Sequence, residues 1–373
     1  MTETPRPRVA VVFGGRSGEH AISCVTAGSV LAAIDPERYD VVPIGIARDG
    51  RWVLESADPE RLRITGPDAL PSVDDGGVPV ALARVEAGTD LVVSDPSRPP
   101  ETLGEVDVVF PLLHGPWGED GTIQGMLEMA GVRYVGAGVL ASAVSMDKAY
   151  MKVVLAAAGL PVLPSIVVTT RSWAADPEAA RRQADELGYP LFVKPARGGS
   201  SLGISKVRDA AELAAGLAHA FEHDPKVLVE VAAPAGSREV ECGVLQALDG
   251  TTETSVPAEI RITGEHEFYD FEAKYLPEEA TELDVPALVP DAVAVELRAL
   301  SARAFEAVGG EGLARVDFFL APDGSLVCNE INTMPGFTPL SMYPRMWAAT
   351  GVDYPALVDR LLRLALARDT GLR

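Results

Sequence analysis

Three cysteines, Cys24, Cys242 and Cys328, are spread widely over 373 residues. Too few and too far apart for a disulfide framework, they read as small buried apolar side chains of a protein from a reducing compartment, the cytoplasm. No apolar run approaches the eighteen or more residues of a membrane span. The opening MTETPRPRVAVVFGG passes from a short polar tail directly into a strand-like run, unlike a signal peptide. Basic charge is scarce: 32 Lys and Arg face 54 Asp and Glu, a net charge of −22. That balance offers no broad basic face for nucleic acid, and the acidic surplus reads as a solvated surface. Neither a membrane nor a nucleic acid is expected as a partner. Lysine is rarest of all, with six against twenty-six arginines. A lysine in a glycine-rich loop or at a strand end therefore stands out.

What is present is ordinary for a soluble globular chain, 47% hydrophobic and 23% charged. Its length predicts two or three domains. Strand signals at Arg8–Phe13, Val41–Ala47 and Val106–Leu112 alternate with an Ala-rich helix to about Ile34 and a helix at Thr122–Ala130. Such alternation predicts a parallel, doubly wound sheet. The stretch Asp58–Arg98, rich in Pro, Gly and Asp, reads as a surface excursion. A helix from Lys148 stops at Gly159 with Pro161 beyond it. After it, short strands (Leu191–Lys194, Ile204–Val207, Val227–Val231) surround one helix, Asp209–Glu222. The rest begins with strands Glu239–Leu245 and Val256–Ile262, holds a long helix near Ala292–Val308, and closes with a hairpin and a helix from Tyr354. The division expected is 1–145, 146–231 and 232–373, the first α/β and the last α+β.

The segment LARVDFFLAPDGSLVCNEINTMPGF carries the most chemistry. Two apolar runs flank Asp323-Gly324, a two-residue hairpin signal. With that turn Pro322 pairs with Ser325, Asp317 lies opposite Glu330, and Arg315 lies opposite Asn332. A three-residue turn would shift the register by one. Alternation puts Arg315, Asp317, Glu330 and Asn332 on one face. Facing carboxylates repel unless something positive sits between them. Oxygen-only ligands suit Mg²⁺, which takes one or two carboxylates together with substrate phosphates. A solvated polar face neutralised by Arg315 is the plainer alternative. The lysine-led, glycine-rich loop KPARGGSSLGISKV tips the reading toward a metal–nucleotide site, although it lacks the Walker A spacing.

Eight stretches, in order along nearly the whole chain, resemble the D-alanine–D-alanine ligases of the ATP-grasp superfamily: GGRSGEHAIS, HGPWGEDGTIQG, SMDKAYMK, KPARGGSSLGISKV, REVECGVL, EFYDFEAKY, ARVDFF and NEINTMPGFTPLSMYP. The resemblance implies a doubly wound N-terminal substrate domain, a small central lid domain and a C-terminal catalytic domain, with ATP gripped between the last two. It implies that Lys148, Lys194 and Lys274 contact phosphates, and that Glu230 and Glu239 contact adenine and ribose. Asp317, Glu330 and Asn332 would hold two Mg²⁺ ions, with Mn²⁺ as a substitute. Arg315 and the Gly336 N–H would stabilise an oxyanion. Glu19 would bind the first substrate's ammonium, linked to Ser200 and Tyr275 on closure. His114 would lie in the active site, with Ser341 and Met342 around the second D-alanine. The implied reaction forms D-alanyl-D-alanine through an acyl phosphate, releasing ADP and phosphate for peptidoglycan precursor synthesis, in a homodimer. The connector Val231–Ser237 departs from the family in lacking a charged hinge residue, which leaves only backbone contacts to adenine there. Other ATP-grasp carboxylate–amine ligases, D-lactate or D-serine variants and a non-catalytic nucleotide-binding module are the alternatives.

Blander readings weigh against single motifs. GGRSGEH does not fit GxGxxG, so a dinucleotide site is disfavoured; its glycines make a tight strand-to-helix turn. Taken singly, Glu19 is a helix N-terminal acid, His114 a structural residue at a strand end, and Tyr275 a packed aromatic. Ser200 has no histidine base in reach. His219 and His223 stand at i, i+4, but HAFEH lacks the HExxH order and no third ligand is evident, so a solvated helix face is expected.

Overall fold

The computed structural model describes residues 5–64, 66, 69–86, 88–97, 99–199, 202–262 and 281–371. Three sheets organise it. The first strand, Arg8–Gly14, is buried along nearly its whole length because it lies mid-sheet with layers on both faces. It pairs in parallel with Asp40–Ile46 on one side and Val108–Pro111 on the other, and the latter pairs in parallel with Arg133–Tyr134.

The expected parallel sheet is thus present, but only as half of an eight-stranded one. From Asp40–Ile46 outward, the strands Trp52–Leu54, Val78–Arg84, Thr89–Val93 and Glu101–Glu105 are added antiparallel. Two of these strands, Val78–Arg84 and Thr89–Val93, lie within the stretch read as a surface excursion, which therefore carries part of the sheet. Its Pro, Gly and Asp residues punctuate short hairpins, whose strands each hold too few apolar residues to register as buried runs.

The second sheet is four-stranded and antiparallel where consecutive strands are paired: Ser205–Val207, Leu191–Pro195, Lys226–Val231, Ser165–Thr169. Its helices are Pro177–Leu187 and Leu213–Phe221, with the short Thr170–Ala175 leading into the first. One helix had been expected there. Pro177–Leu187 escapes notice because only Ala180 and Ala184 are buried, leaving a polar surface helix with almost no apolar stripe.

The third sheet runs Thr281–Asp284, Ala258–Ile262, Arg238–Gln246, Leu313–Leu320, Leu326–Asn332. The helix Asp291–Ala307 packs beneath it through Leu297, Ala304 and Phe305. The C-terminal helix Tyr354–Ala367 crosses back to the first sheet. Its Leu357, Leu361 and Leu364 share one core with Val9, Phe110 and the helix His20–Ala33, and Tyr39 donates to Asp359 at 2.8 Å. That shared core brings the carboxyl edge of the parallel strands up against the third sheet.

Candidate active site

The hairpin decides the chemistry of the cleft floor. Gly324 N–H donates to Ala321 C=O, and Ala321 N–H donates to Ser325 C=O, so the loop is Pro322-Asp323-Gly324, three residues with Gly324 at φ +87°. The two-residue turn is corrected: a left-handed glycine closes a type I turn with a bulge. Near the turn Phe318 accordingly faces Cys328, one out of the expected register. A second irregularity at Asn329, between Asp317 and Phe318 on the partner strand, cancels the shift. Asp317 faces Glu330 and Arg315 faces Asn332, as the sequence implied.

On its other side Asp317 faces Glu241 of the strand Arg238–Gln246. Three carboxylates therefore lie in a row across three strands. Arg315 binds both oxygens of Asp317 at 2.7 Å, and its Nε is 3.2 Å from Glu241. Burial works against the guanidinium charge, but Asp317 and Glu241 overcome it and raise the Arg315 pKa well above its usual value. Asn332 donates to Asp317 at 3.0 Å, and Lys148 Nζ lies 3.6 Å from Glu330.

Lys148 opens the helix Lys148–Ala157, whose N-cap Asp147 accepts from the amides of Ala149 and Tyr150 and is held by Lys226 at 2.8 Å. That cap aims Lys148 into the cleft, where it donates to Gly198 C=O at 2.8 Å, at the mouth of the glycine–serine loop. Lys194, on the strand Leu191–Pro195, donates to Glu230 at 2.7 Å. Lys152, one helical turn beyond Lys148, takes the other oxygen of Glu230. Glu230 is only 1% exposed. Burial raises its pKa, but Lys194 and Lys152 outweigh burial and hold it below the ordinary carboxylate range.

The opposite wall comes from the first sheet. Gly14 N–H donates to Ser23, whose hydroxyl donates to Leu112 C=O at 2.5 Å, and the Ser17 hydroxyl donates to His114 C=O. These bonds tie the turn after the first strand to the loop after Val108–Pro111. Glu19, the N-cap residue of His20–Ala33, and His114 meet at this seam. Burial lowers the His114 pKa, against the Glu19 carboxylate. Glu119 accepts from Gly115 N–H at 2.5 Å; burial, then Glu19, push its carboxyl up to about 8. His20 is structural, its ring bonded to Gly15 C=O and the Val73 amide.

One cleft of about 1150 Å³ joins these walls. Thirteen of the sixteen candidate residues line it: Glu19, His114, Lys148, Lys194, Glu230, Glu239, Arg315, Asp317, Glu330, Asn332, Gly336, Ser341 and Met342. Ser200, Lys274 and Tyr275 lie outside the described residues. Ser341 stands at the N-cap position of the helix Met342–Thr350 without a side-chain capping bond, its hydroxyl bonding Thr338 beside Gly336 instead. The connector Val231–Ser237 lines the cleft throughout.

Sequence reasoning missed Glu241, Lys152 and Glu119. The first two had a periodic signal: Glu241 follows Glu239 by two on a strand, and Lys152 follows Lys148 by four on a helix. Glu119 had none, because its role comes from meeting Glu19, which is remote in sequence.

The carboxylates Glu241, Asp317 and Glu330 outnumber the cations Arg315 and Lys148 beside them, and the available ligand atoms are oxygens. That donor set fits Mg²⁺.

The chain matches two family models, described as D-ala D-ala ligase N-terminus over residues 8–137 and D-ala D-ala ligase C-terminus over residues 154–363. It is 58% identical over 371 residues to a D-alanine–D-alanine ligase of Arthrobacter sp. (strain FB24), covering 99% of this chain and 96% of the relative. The solved D-alanine-D-alanine ligase of Coxiella burnetii superposes with a TM-score of 0.80 at 34% identity, covering 97% of this chain and 94% of that one. A D-Ala:D-Ser ligase of Enterococcus faecalis superposes with a TM-score of 0.81 at 33% identity, covering 97% and 100%.

Proposed function

The chain belongs to the D-alanine–D-alanine ligase family, and on that premise we propose roles for the residues of its cleft. It has the ATP-grasp architecture, and it is an ATP-dependent ligase that joins two D-alanine molecules for peptidoglycan synthesis. The observation that carries the assignment of roles is the row Glu241–Asp317–Glu330, which faces Lys148 and Lys194 across one cleft.

Asp317, Glu330 and Asn332 would hold two Mg²⁺ ions, which when bound neutralise phosphate charge and align the transfer. Lys148, Lys194 and Lys274 hold the phosphates of ATP as mobile point charges. Lys194 leaves Glu230 for phosphate, and Lys152 then keeps the buried carboxylate neutralised. Glu239 and the backbone of Val231–Ser237 line the nucleoside end, with Glu230 beside the adenine.

Glu19 binds the ammonium of the first D-alanine beside His114. A carboxylate oxygen of that D-alanine attacks the γ-phosphorus, the bond to the β-phosphate oxygen breaks, and ADP leaves. The amine of the second D-alanine, placed by Ser341 and Met342, then attacks the acyl carbon. Arg315 and the Gly336 N–H stabilise the oxyanion; the amine loses a proton, the acyl C–O bond breaks, and phosphate departs. Arg315 is already fixed by Asp317 and Glu241, so its orientation needs no reorganisation. Ser200 and Tyr275 join Glu19 in closing the site.

The proposed units are 1–145, 146–231 and 232–373, a division supported by the strands of each sheet falling within one of them, and the middle unit would serve as the lid. A cytoplasmic homodimer acting on these small molecules completes the reading. No described helix is long and apolar enough to cross a membrane.

Coupled ADP release measured with ATP, Mg²⁺ and D-alanine tests the assignment, and no rise on adding D-alanine sinks it. Product analysis with D-serine or D-lactate in competition separates dipeptide formation from the related activities.

A further inference from the structure

Away from the cleft, the helix Leu213–Phe221 ends in three side chains that converge: His219, Glu222 and His223. All three are exposed, and one ligand atom from each lies within 4.8 Å of the others. His219 Nδ1 is 3.8 Å from a Glu222 oxygen, and the two imidazoles stand edge to face with centroids 5.6 Å apart. The third ligand that the sequence reading found wanting is Glu222. Glu222 and His223 follow His219 by three and four residues, which brings each of them beside it.

We propose that His219, Glu222 and His223 form a binding site for one transition-metal dication of the Zn²⁺, Ni²⁺ or Co²⁺ class, distinct from the Mg²⁺ site of the cleft. Two imidazoles and a carboxylate are the ligand types these ions favour, whereas Mg²⁺ demands oxygen ligands. Three protein ligands leave the remaining coordination positions to water. Tetrahedral bonds of about 2.1 Å require ligand atoms roughly 3.4 Å apart, so the observed separation closes by small rotations of exposed side chains. His223 packs on Gly203, where an added Cβ would lie 2.4 Å from His223 Cδ2. The acid next in sequence, Asp224, is engaged by Arg197 at 2.7 Å. Gly203 belongs to the return of the glycine–serine loop, so the site stands beside the stem of the lid while its ligands stay out of the cleft.

Isothermal titration of the full chain with Ni²⁺, in saturating Mg²⁺ at neutral pH, reads the site directly. One Ni²⁺ per chain is expected. The double variant H219A/H223A should lose this binding, and Glu222→Gln should weaken it on the order of tenfold. Both variants should retain Mg²⁺-dependent ADP release, which shows that they fold. Equal Ni²⁺ uptake by wild type and the double variant, or none by wild type, overturns the site. Unchanged affinity in Glu222→Gln overturns the three-ligand assignment.

Discussion

Lys152→Met separates the two tasks of the buried lysine pair. Glu230 is 1% exposed and lies between Lys194 and Lys152, which hold its carboxyl below the ordinary range against burial. Removing one partner of a buried ion pair costs about 3–5 kcal/mol when the other is left alone. Here Lys194 stays, 2.7 Å away, so a stability loss of about 2 kcal/mol is expected, below the range for a stranded charge. The larger effect falls on nucleotide binding. Once Lys194 is the sole counter-ion, moving it to a phosphate leaves Glu230 buried and unpaired. A penalty of about 3 kcal/mol corresponds to roughly a hundredfold rise in KM for ATP, whereas KM for D-alanine should barely move. Urea unfolding gives the first quantity and coupled ADP release the second. Adding Glu230→Gln to Lys152→Met removes the stranded charge and should recover most of the loss in ATP affinity. An ATP KM within twofold of wild type, together with a stability change below about 0.5 kcal/mol, would refute the reasoning.

Glu119→Gln should change how stability depends on pH. Burial and then Glu19 raise the Glu119 pKa from 4.5 to about 8. The native state therefore keeps a proton that the unfolded state has lost, and this stabilisation is complete below the unfolded value and lost as pH rises through about 8. Between about pH 5 and 8 the group contributes a downward slope of at most about 1.4 kcal/mol per pH unit, which the glutamine variant should flatten; identical slopes would contradict the placement of Glu119. Glu330→Gln should lower ADP release on the order of a hundredfold or more. Its unfolding free energy should stay within about 1 kcal/mol or rise, because it removes one of three adjacent like charges. A variant that keeps wild-type turnover removes Glu330 from the metal site.

The hairpin shows how a site can be legible while its construction is not. Strand alternation placed Arg315, Asp317, Glu330 and Asn332 on one face, and they are there. The route to that register was wrong twice, at the turn and at Asn329, and the two one-residue shifts cancel. A bulge leaves little trace in the apolar pattern, because Asn329 merely interrupts a short strand. Helices with a clear apolar stripe, such as Tyr354–Ala367, were readable for the opposite reason. Pro177–Leu187, with a thin stripe of alanines, was not.

The sequence by itself determined the chemistry on offer. Ordered motifs, scarce lysines in telling places and an oxygen-only hairpin name the residue types, because periodicity and local turn chemistry act over a few residues and stay visible in one dimension. Tertiary structure alone decided the partners. Glu241 flanks Asp317 only because Arg238–Gln246 pairs beside Leu313–Leu320. Glu119 is pushed above the ordinary carboxylate range only because folding buries it and brings Glu19, remote in sequence, beside it. Lys194 and Lys152 share Glu230 only because a helix packs where a strand from the second sheet arrives. Burial and opposing charge depend on distance in space, and no local pattern in the chain records those distances.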